Sequence, residues 1–404
     1  MSAAVGLTGH DTGAQGVDIS VVMPCLNEAE SVADCVRAAL VGLAKTGLTG
    51  EVVVCDNGST DRSVELAVAA GARVVHQPRK GYGNAYLKGF SESRGRIIVM
   101  GDSDMTYDFT ELDRLVEPLE AGEADYCLGS RFGGQILPGA MTFSHRYIGN
   151  PVLTALLNRF FGLKSSDAHS GMRSFTREAF ERMGLRCEGM EFASEVVIKA
   201  AKCGLRVTER PILYHPRVGE TKLRTFRDGW RHLRFMLLLA PEWLFIYPGL
   251  VLLVLGMVGQ SVLLGDGLSI GTHQLNVHFT ALFALMAILG FQAIVFGLFA
   301  LGFADAMGVE QKSWLARWVE EDFTLERGLL VGGMFFIVGV MIDAFILIEW
   351  ISTSLGPLEA IRPALYAMTL MILGGQMAFA SFFLGLLKVK VRTHPVHLGA
   401  STGS

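Results

Sequence analysis

Four long apolar runs in the C-terminal part of the chain constrain its fold more than any other feature. A bilayer has a hydrocarbon core about 30 Å thick and a helix rises about 1.5 Å per residue, so about 20 apolar residues cross it. The runs reach that length and predict four transmembrane helices, at 237–265, 278–302, 328–352 and 364–388. A wholly water-soluble protein is therefore excluded.

Lysine and arginine are unevenly shared among the segments that connect these runs. The segment between the first and second runs has neither residue, and the one between the third and fourth has only Arg362. Basic residues lie instead in the loop 303–327 and in the tail 389–404. Because short cytoplasmic segments carry the excess of positive charge, we predict a multi-pass protein of the inner (plasma) membrane with both termini in the cytoplasm.

Two further segments have the pattern of helices that lie flat on a membrane surface. In 221–236, four apolar residues share one helical face and four arginines lie on the neighbouring face, which suits contact with acyl chains and lipid phosphates. These residues are Leu223, Phe226, Trp230 and Leu233, with Arg224, Arg227, Arg231 and Arg234. Ordinary flanking charge is the alternative. Trp314 and Trp318, one helical turn apart, predict a second interfacial helix in the loop 303–327.

The N-terminal part has the pattern of a soluble α/β domain. After a Gly-, Ser- and Thr-rich segment, 1–17, which we expect to be a flexible tail, short apolar runs alternate with helical patterns across 18–220. This alternation predicts a Rossmann-like, mostly parallel sheet with crossover helices, whose ligands bind at the carboxyl ends of the strands. Asp56, Asp102 and Asp104 all lie at such ends.

Composition narrows the possible partners and the compartment. A net charge of −4 and a sequence pI near 6.2 argue against nucleic acid as the main partner, which would need a broad basic surface. None of the six cysteines forms a CxxC pair, and all of them precede the first apolar run. We therefore expect reduced thiols in a cytosolic domain.

The sharpest local signal is Asp102-Ser103-Asp104, which follows the apolar strand IIVMG. Two carboxylates two residues apart at the mouth of a strand can share a hard divalent cation with a diphosphate, since Mg²⁺ and Mn²⁺ favour carboxylate and phosphate oxygens. An acidic, merely solvated turn is the other interpretation, so the motif depends on the residues around it.

Six motifs around this turn resemble those of family 2 glycosyltransferases of the GT-A fold. They are VVMPCLNEAESV, VVVCDNGSTDRSVELA, GYGNAYLKGF, GDSDMTYD, LGSRF and SDAHSGMRSF. Within that family they are most similar to polyprenyl-phosphate glycosyltransferases, such as dolichyl-phosphate mannose synthase and its bacterial glucosyl relatives. The resemblance covers about half of the chain. It implies transfer of one hexose from UDP-glucose or GDP-mannose to a polyprenyl or dolichyl phosphate at the bilayer, with inversion and with Mg²⁺ or Mn²⁺; some relatives form homo-oligomers.

The resemblance also implies roles for residues that match the motifs. Those assigned to the nucleotide sugar are Pro24, Asn27, Glu28, Asp56, Lys80, Asp102, Ser103 and Asp104, of which Asp102 and Asp104 would also hold the metal. Those assigned to the acceptor phosphate are Arg131, Arg146, Asn150, Arg217 and Lys222. Asp167 matches an acid that acts as a base or orients an arginine, and with Asp102, Asp104 and Arg131 it completes the expected catalytic set. Thr106 stands where some relatives have a metal-binding Gln, and Asn150 where some have Ser.

Three other functions fit the sequence less well. A processive membrane polysaccharide synthase would carry a QxxRW motif, whereas this chain has WLARW and we expect no span before the soluble domain. A non-catalytic lipid-binding scaffold would tolerate loss of the acidic pair or of Arg131, and these residues are present. A nicotinamide oxidoreductase needs a glycine fingerprint after the first strand, and MPCLNEAES has no glycine.

Overall fold

A computed structural model of the chain describes residues 16–219, 225–265, 268–270, 273–306, 314–353, 355 and 360–387. The chain divides into two compact units, Met1–Met236 and Leu237–Ser404. Residues 1–15 of the predicted N-terminal tail and the whole predicted C-terminal tail, 389–404, lie outside the described residues, as does the predicted acceptor residue Lys222.

A seven-stranded mixed sheet forms the centre of the first unit. Its strands are β1 (Ile19–Cys25), β2 (Gly50–Asp56), β3 (Arg73–His76), β4 (Ile97–Met100), β5 (Tyr126–Ile136), β6 (Arg173–Thr176) and β7 (Val207–Tyr214), in the order β3-β2-β1-β4-β6-β5-β7. The first four strands pair in parallel, as do β5 and β7, while β6 runs antiparallel to both of its neighbours. The predicted fold class, a mostly parallel GT-A sheet followed by an all-helical membrane domain, is confirmed.

Helices cover both faces of this sheet. They are α1 (Val32–Thr46), α2 (Ser63–Ala69), α3 (Tyr82–Glu92), α4 (Asp113–Glu120), α5 (Asn150–Phe161), α6 (Arg177–Met183) and α7 (Phe192–Lys202). Successive strand residues point to opposite faces, so Val21 and Val22 enter different cores, one shared with α1 and α4 and the other with α3 and α7. Burial on both faces explains why the central strands are continuous apolar runs.

The sheet topology brings distant loops to one edge. Because β1, β2 and β4 are parallel, the loops that follow them leave from the same edge, where Cys25 lies beside Asp56. The single reversed strand, β6, begins at this edge, so the loop that precedes it, with Asp167, arrives there too. This arrangement assembles the candidate site.

The second unit contains the four long apolar helices. Helix α8 (Thr225–Leu239) runs across the boundary between the units and is followed by α9 (Tyr247–Val262), α10 (Val277–Ala306), the short α11 (Trp314–Arg317), α12 (Leu325–Ser352) and α13 (Ile361–Leu387). A small hairpin, β8 (Leu268–Ile270) and β9 (His273–Leu275), follows α9. The four segments long and apolar enough to cross a membrane are Glu242–Val262, Val277–Phe303, Leu325–Ser352 and Ile361–Leu387. The chain is therefore a membrane protein.

Glycines allow these apolar helices to pack closely. A Cβ added to Gly332 of α12 would lie 2.7 Å from the Gly374 carbonyl oxygen of α13, and one added to Gly256 of α9 would lie 2.4 Å from the Ala287 nitrogen of α10. Helices in lipid associate through such close backbone approach, because no hydrophobic force drives them together there. Polar contacts add to it, as where Gln260 donates to the Thr369 hydroxyl at 3.0 Å.

Candidate active site

Asp102 and Asp104 lie in the loop after β4, at the edge where β1 and β2 also end. Asp102 accepts hydrogen bonds on Oδ1 from the hydroxyls of Tyr82, at 3.0 Å, and Tyr86, at 3.2 Å. Burial, followed by the negative charge of Asp104, raises the pKa of Asp102 from 3.8 to about 6. The pair therefore concentrates negative charge that a cation would stabilise.

Arg217, in the loop after β7, brings a cation to this pair. Its Nη1 lies 3.2 Å from Oδ2 of Asp104, and its Nη2 donates to Oε1 of Glu28 at 2.7 Å. The loop is fixed by backbone bonds from Val218 to the Asp104 carbonyl, at 3.1 Å, and from His215 to the carbonyl of Thr106, at 2.9 Å. The sequence assigned Arg217 to the acceptor phosphate, whereas its contacts in the structure are with residues assigned to the nucleotide sugar.

The turn that carries Asp104 has an unusual backbone. Met105 has a φ of 64°, in the left-handed region that side chains other than glycine rarely adopt. This turn lets Thr106 donate to Oδ1 of Asp104 from its backbone nitrogen, at 3.1 Å, and from its hydroxyl, at 2.5 Å. Thr106, which stands in place of a possible third metal ligand, therefore orients Asp104.

The loops after β1 and β2 are joined by side chain–backbone bonds. Asn27, with a φ of 52°, receives a bond on Oδ1 from the backbone of Thr60 at 2.8 Å, and the backbone of Glu28 donates to the Ser63 hydroxyl at 2.8 Å. Burial favours the neutral form of Asp56, but hydrogen bonds from Ser59 and His76 outweigh it and lower the pKa of Asp56. Asn27, Glu28 and Asp56 thus belong to one connected rim.

Three other residues assigned to the nucleotide sugar have different surroundings. The buried hydroxyl of Ser103 donates to the carbonyl of Pro24 at 2.7 Å, so these two residues join the ends of β4 and β1. Lys80 is exposed just before α3. Asn57, which the sequence did not single out, holds the segment before α3 by donating to the carbonyl of Arg79 at 2.8 Å and accepting from Gly81 at 2.8 Å.

Arg131 and Asp167 form a buried, two-pronged ion pair. Nε and Nη2 of Arg131 each donate to a different oxygen of Asp167 at 2.7 Å, and the Arg131 backbone nitrogen adds a third bond at 3.0 Å. Burial alone would lower the pKa of Arg131, but the carboxylate of Asp167 outweighs it and raises that pKa. Because both oxygens of Asp167 are engaged, the geometry favours its orienting role over that of a base.

Two tyrosines that the sequence did not single out link this ion pair to the acidic turn. The Tyr107 hydroxyl accepts from the backbone of Gly171 at 2.7 Å, and its ring lies 5.4 Å from that of Tyr214. The guanidinium of Arg131 lies 5.1 Å from the centre of the Tyr214 ring, a cation–π distance. The sequence signals for this contact were weak: a tyrosine within GDSDMTYD and another at the end of β7.

The remaining acceptor residues lie just before and within α5. Arg146 is half-buried in a helical turn, His145–Gly149, with its guanidinium 5.6 Å from the centre of the Tyr147 ring. The Asn150 amide donates to the sulfur of Met141 at 3.5 Å. Among the described contacts, none joins Arg146 or Asn150 to Arg131.

The donor set at the acidic turn suits a divalent metal. Magnesium sites commonly use one or two carboxylates together with substrate phosphates rather than a complete protein cage. Asp102 and Asp104 provide that number, and the guanidinium against Asp104 shows that this carboxylate already accepts a cation. Within the described residues, no cluster of three or more His, Cys, Asp or Glu side chains offers an all-protein site.

Two sequence models match the chain. The one described as Glycosyl transferase family 2 matches residues 20–184, and the one described as Glycosyltransferase family 2 C-terminal transmembrane region matches 298–388. The first covers the edge loops described above as far as α6, and the second covers α12, α13 and the end of α10.

Curated proteins from Haloferax volcanii are similar to this chain. The low-salt glycan biosynthesis hexosyltransferase Agl6 is 42% identical over 369 residues, which cover 91% of this chain and 89% of that protein. A dolichyl-phosphate hexose transferase is 31% identical over 213 residues, 52% of this chain and 89% of that protein.

Among solved structures, glucosyl-3-phosphoglycerate synthase from Mycobacterium tuberculosis, in complex with Mn²⁺, uridine diphosphate and glucosyl-3-phosphoglycerate, is also similar. It is 24% identical, with a TM-score of 0.45, over 57% of this chain and 85% of that one. The match to Agl6 extends through both units, and the two family models fall one in each unit. The chain therefore belongs to glycosyltransferase family 2 and carries that family's C-terminal transmembrane region.

Proposed function

We propose that this enzyme transfers one hexose from a nucleotide sugar, UDP-glucose or GDP-mannose, to the phosphate of a polyprenyl or dolichyl phosphate. The reaction takes place at the cytoplasmic face of the membrane, as the distribution of basic loop residues predicts, and gives a lipid-linked sugar. The names of the Haloferax relatives, a hexosyltransferase and a dolichyl-phosphate hexose transferase, support both the sugar class and the acceptor class.

The observation that carries the proposal is the acidic pair with a guanidinium against it. Asp102 and Asp104 would hold Mg²⁺ or Mn²⁺, and Arg217, which now pairs with Asp104 and Glu28, lies where it could turn to a diphosphate. When bound, the metal neutralises charge on the leaving nucleoside diphosphate. Two carboxylates with a guanidinium against them suit a charged nucleotide sugar better than a neutral ligand.

An exposed apolar face beside Arg146 supports a lipid acceptor. Phe143, Tyr147, Ile148 and Val152 are between 51% and 72% exposed, although large apolar side chains of a soluble unit are normally covered. Their spacing, with two pairs four residues apart, puts them on adjoining faces of the turn before α5 and of α5 itself. An arginine among such residues matches the chemistry of a phosphate attached to an isoprenoid chain.

The reaction needs alignment more than proton transfer. An oxygen of the acceptor phosphate attacks the anomeric carbon while the bond from that carbon to the diphosphate oxygen breaks, so the nucleoside diphosphate leaves with the electron pair and the configuration inverts. Because the acceptor phosphate is already ionised, no base is required. Arg131, fixed by Asp167, would orient an anion, and Asp167 is then a positioning residue.

The test uses the full chain purified in detergent, with MgCl₂ or MnCl₂, a short polyprenyl phosphate and a panel of nucleotide sugars, and identifies products by mass. We expect a single hexosyl-phosphoprenol from one donor, and no such product with the unphosphorylated polyprenol. Asp104→Asn should abolish transfer, and the exposed Asp34→Asn serves as its matched control. A polymeric product would indicate a processive synthase, and no lipid product from any donor would contradict the proposal.

A further inference from the structure

Two buried tyrosine hydroxyls converge on one oxygen of Asp102. Tyr82 and Tyr86 are four residues apart on α3, so their side chains lie on one face of the helix. Both hydroxyls donate to Oδ1 of Asp102, at 3.0 and 3.2 Å. A carboxylate oxygen that accepts two hydrogen bonds has its bonding capacity filled, and the orientation of the carboxylate group is fixed as well.

The tyrosines themselves are held by packing. The Tyr86 ring is fully buried and stacks on Phe192 of α7, with centroids 5.6 Å apart and an angle of 8° between the planes. Tyr82 meets Tyr86 edge to face at 5.0 Å and Phe192 at 6.3 Å. These contacts leave the two hydroxyls little freedom to follow Asp102 if it moved, so the helix fixes the carboxylate rather than the reverse.

The other oxygen of Asp102, Oδ2, lies beside Gly171. A Cβ added to Gly171 would lie 2.9 Å from Oδ2 of Asp102 and 2.9 Å from the Tyr107 hydroxyl, so any side chain at this position would press against Oδ2. Oδ1 and Oδ2 thus differ: one oxygen is bonded to the protein interior, and the other lies beside a residue without a side chain.

We propose that Tyr82 and Tyr86 are positioning residues for Asp102, anchoring Oδ1 so that Oδ2 is presented to the cation of a metal–nucleotide complex. This inference rests on the proposed function and adds two residues to the site. The competing explanation is structural: the hydroxyls merely satisfy a buried carboxylate and leave ligand binding unaffected.

The experiment measures binding of MnCl₂ with UDP, and of MnCl₂ with GDP, to the full chain in detergent by titration calorimetry. Tyr82→Phe and Tyr86→Phe should each weaken binding of the accepted nucleotide about ten-fold, the range expected for loss of a hydrogen bond to a charged group. Tyr126→Phe is the matched control, because Tyr126 is equally buried and its hydroxyl has no partner among the described residues. It should bind as the unaltered protein does.

A double-mutant cycle separates positioning from structure. If the tyrosines act through Asp102, adding Tyr82→Phe or Tyr86→Phe to Asp102→Asn should cause no further loss of binding. Full additivity, or unchanged binding in both single variants, would overturn the inference. Should Tyr86→Phe fail to fold, as judged by its melting curve, Tyr82→Phe decides the matter, because Tyr82 is less buried.

The same titrations distinguish failure of this inference from failure of the proposed function. The metal–nucleotide site is wrong if the unaltered protein binds neither Mn²⁺–UDP nor Mn²⁺–GDP, or if Asp102→Asn binds the accepted complex as tightly as the unaltered protein. In either case the positioning role is overturned as well. If Asp102→Asn loses binding while the tyrosine variants keep it, the site stands and the positioning role alone is overturned.

Discussion

Two arginine–aspartate pairs in the first unit have opposite constructions. Arg131 and Asp167 form two parallel bonds of 2.7 Å, and their side chains are 8% and 0% exposed. Arg217 approaches Asp104 with one nitrogen at 3.2 Å, divides its charge with Glu28, and is 22% exposed on a loop. Asp167 is fully engaged by Arg131, whereas Asp104 meets Arg217 through one nitrogen and could exchange it for another cation.

The difference in burial and geometry suggests different roles for the two pairs. A buried, two-pronged pair has already lost its water, so separating it would leave a charge without solvent or partner. Arg217 is partly exposed and shared between two carboxylates, so its interaction with Asp104 has less to lose, because water and salt replace part of it. We therefore expect Asp167 to act on structure and orientation, and Asp104 to be the carboxylate available to a ligand.

The largest effect should come from breaking the closed pair. We expect Asp167→Asn to lower the free energy of unfolding by about 3–5 kcal/mol, because it leaves the Arg131 guanidinium buried without a counter-charge. Thermal and denaturant unfolding of the detergent-solubilised chain measure this. Asp125→Asn is the control: it removes the partner of Arg206, which is 58% exposed, so water can replace the lost contact and the melting temperature should shift far less. Equal shifts in the two variants would remove the distinction between the pairs.

The sequence pattern was sufficient for the parts of the site that depend on strand order. Apolar runs followed by acids placed Asp56, Asp102 and Asp104 at one edge, and the structure has them at the ends of β2 and β4. Parallel pairing of consecutive βα units makes such an edge nearly unavoidable. The four membrane-length helices followed from run length alone.

Contacts between distant loops could not be predicted in this way. Glu28 and Arg217 are 189 residues apart, and they meet only because β7 returns beside β5 at the far side of the sheet. The reversed strand β6 brings the preceding loop, with Asp167, to Arg131. This strand has only four residues, too few for a periodic sequence pattern that would reveal its direction. Tyr82 and Tyr86 lie within GYGNAYLKG, and nothing local in that segment links their hydroxyls to Asp102.

A second, smaller effect on the free energy of unfolding is expected from the charge of Asp102, with the opposite sign to that of Asp167. Because the folded pKa of Asp102, about 6, lies above the ordinary value of 3.8, its ionised form destabilises the fold at neutral pH. Asp102→Asn should therefore raise the free energy of unfolding by about 1–3 kcal/mol at pH 7.5, while abolishing transfer. The gain should shrink as the pH falls below 6 and vanish below about pH 4, where Asp102 is protonated in both the folded and the unfolded chain.

Melting curves at several pH values, recorded with EDTA to remove metal, measure this gain. A stabilisation of the same size at pH 7.5 and pH 4 would mean that the charge of Asp102 is not its cause. Together with the expected loss in Asp167→Asn, a pH-dependent gain would show that the charge of Asp167 stabilises the fold, whereas the charge of Asp102 destabilises it and is available to a ligand.

The smallest effect should come from the exchangeable pair. Arg217→Ala should lower the free energy of unfolding by about 1 kcal/mol, less than Asp167→Asn does. The change breaks the ion pairs with both Glu28 and Asp104, but the Arg217 guanidinium is 22% exposed and water replaces part of each interaction. It should nevertheless tighten binding of Mn²⁺ alone by about two- to ten-fold, since Asp104 no longer shares its charge with a guanidinium. Titration of MnCl₂ followed by electron paramagnetic resonance measures this without nucleotide, and Arg206→Ala, which removes an equal charge elsewhere on the surface, is the control. Weaker Mn²⁺ binding in Arg217→Ala than in Arg206→Ala would mean that Arg217 supports the cation site rather than competing with the cation. The Arg131–Asp167 and Arg217–Asp104 pairs would then differ in exposure alone, and not in their availability to a ligand.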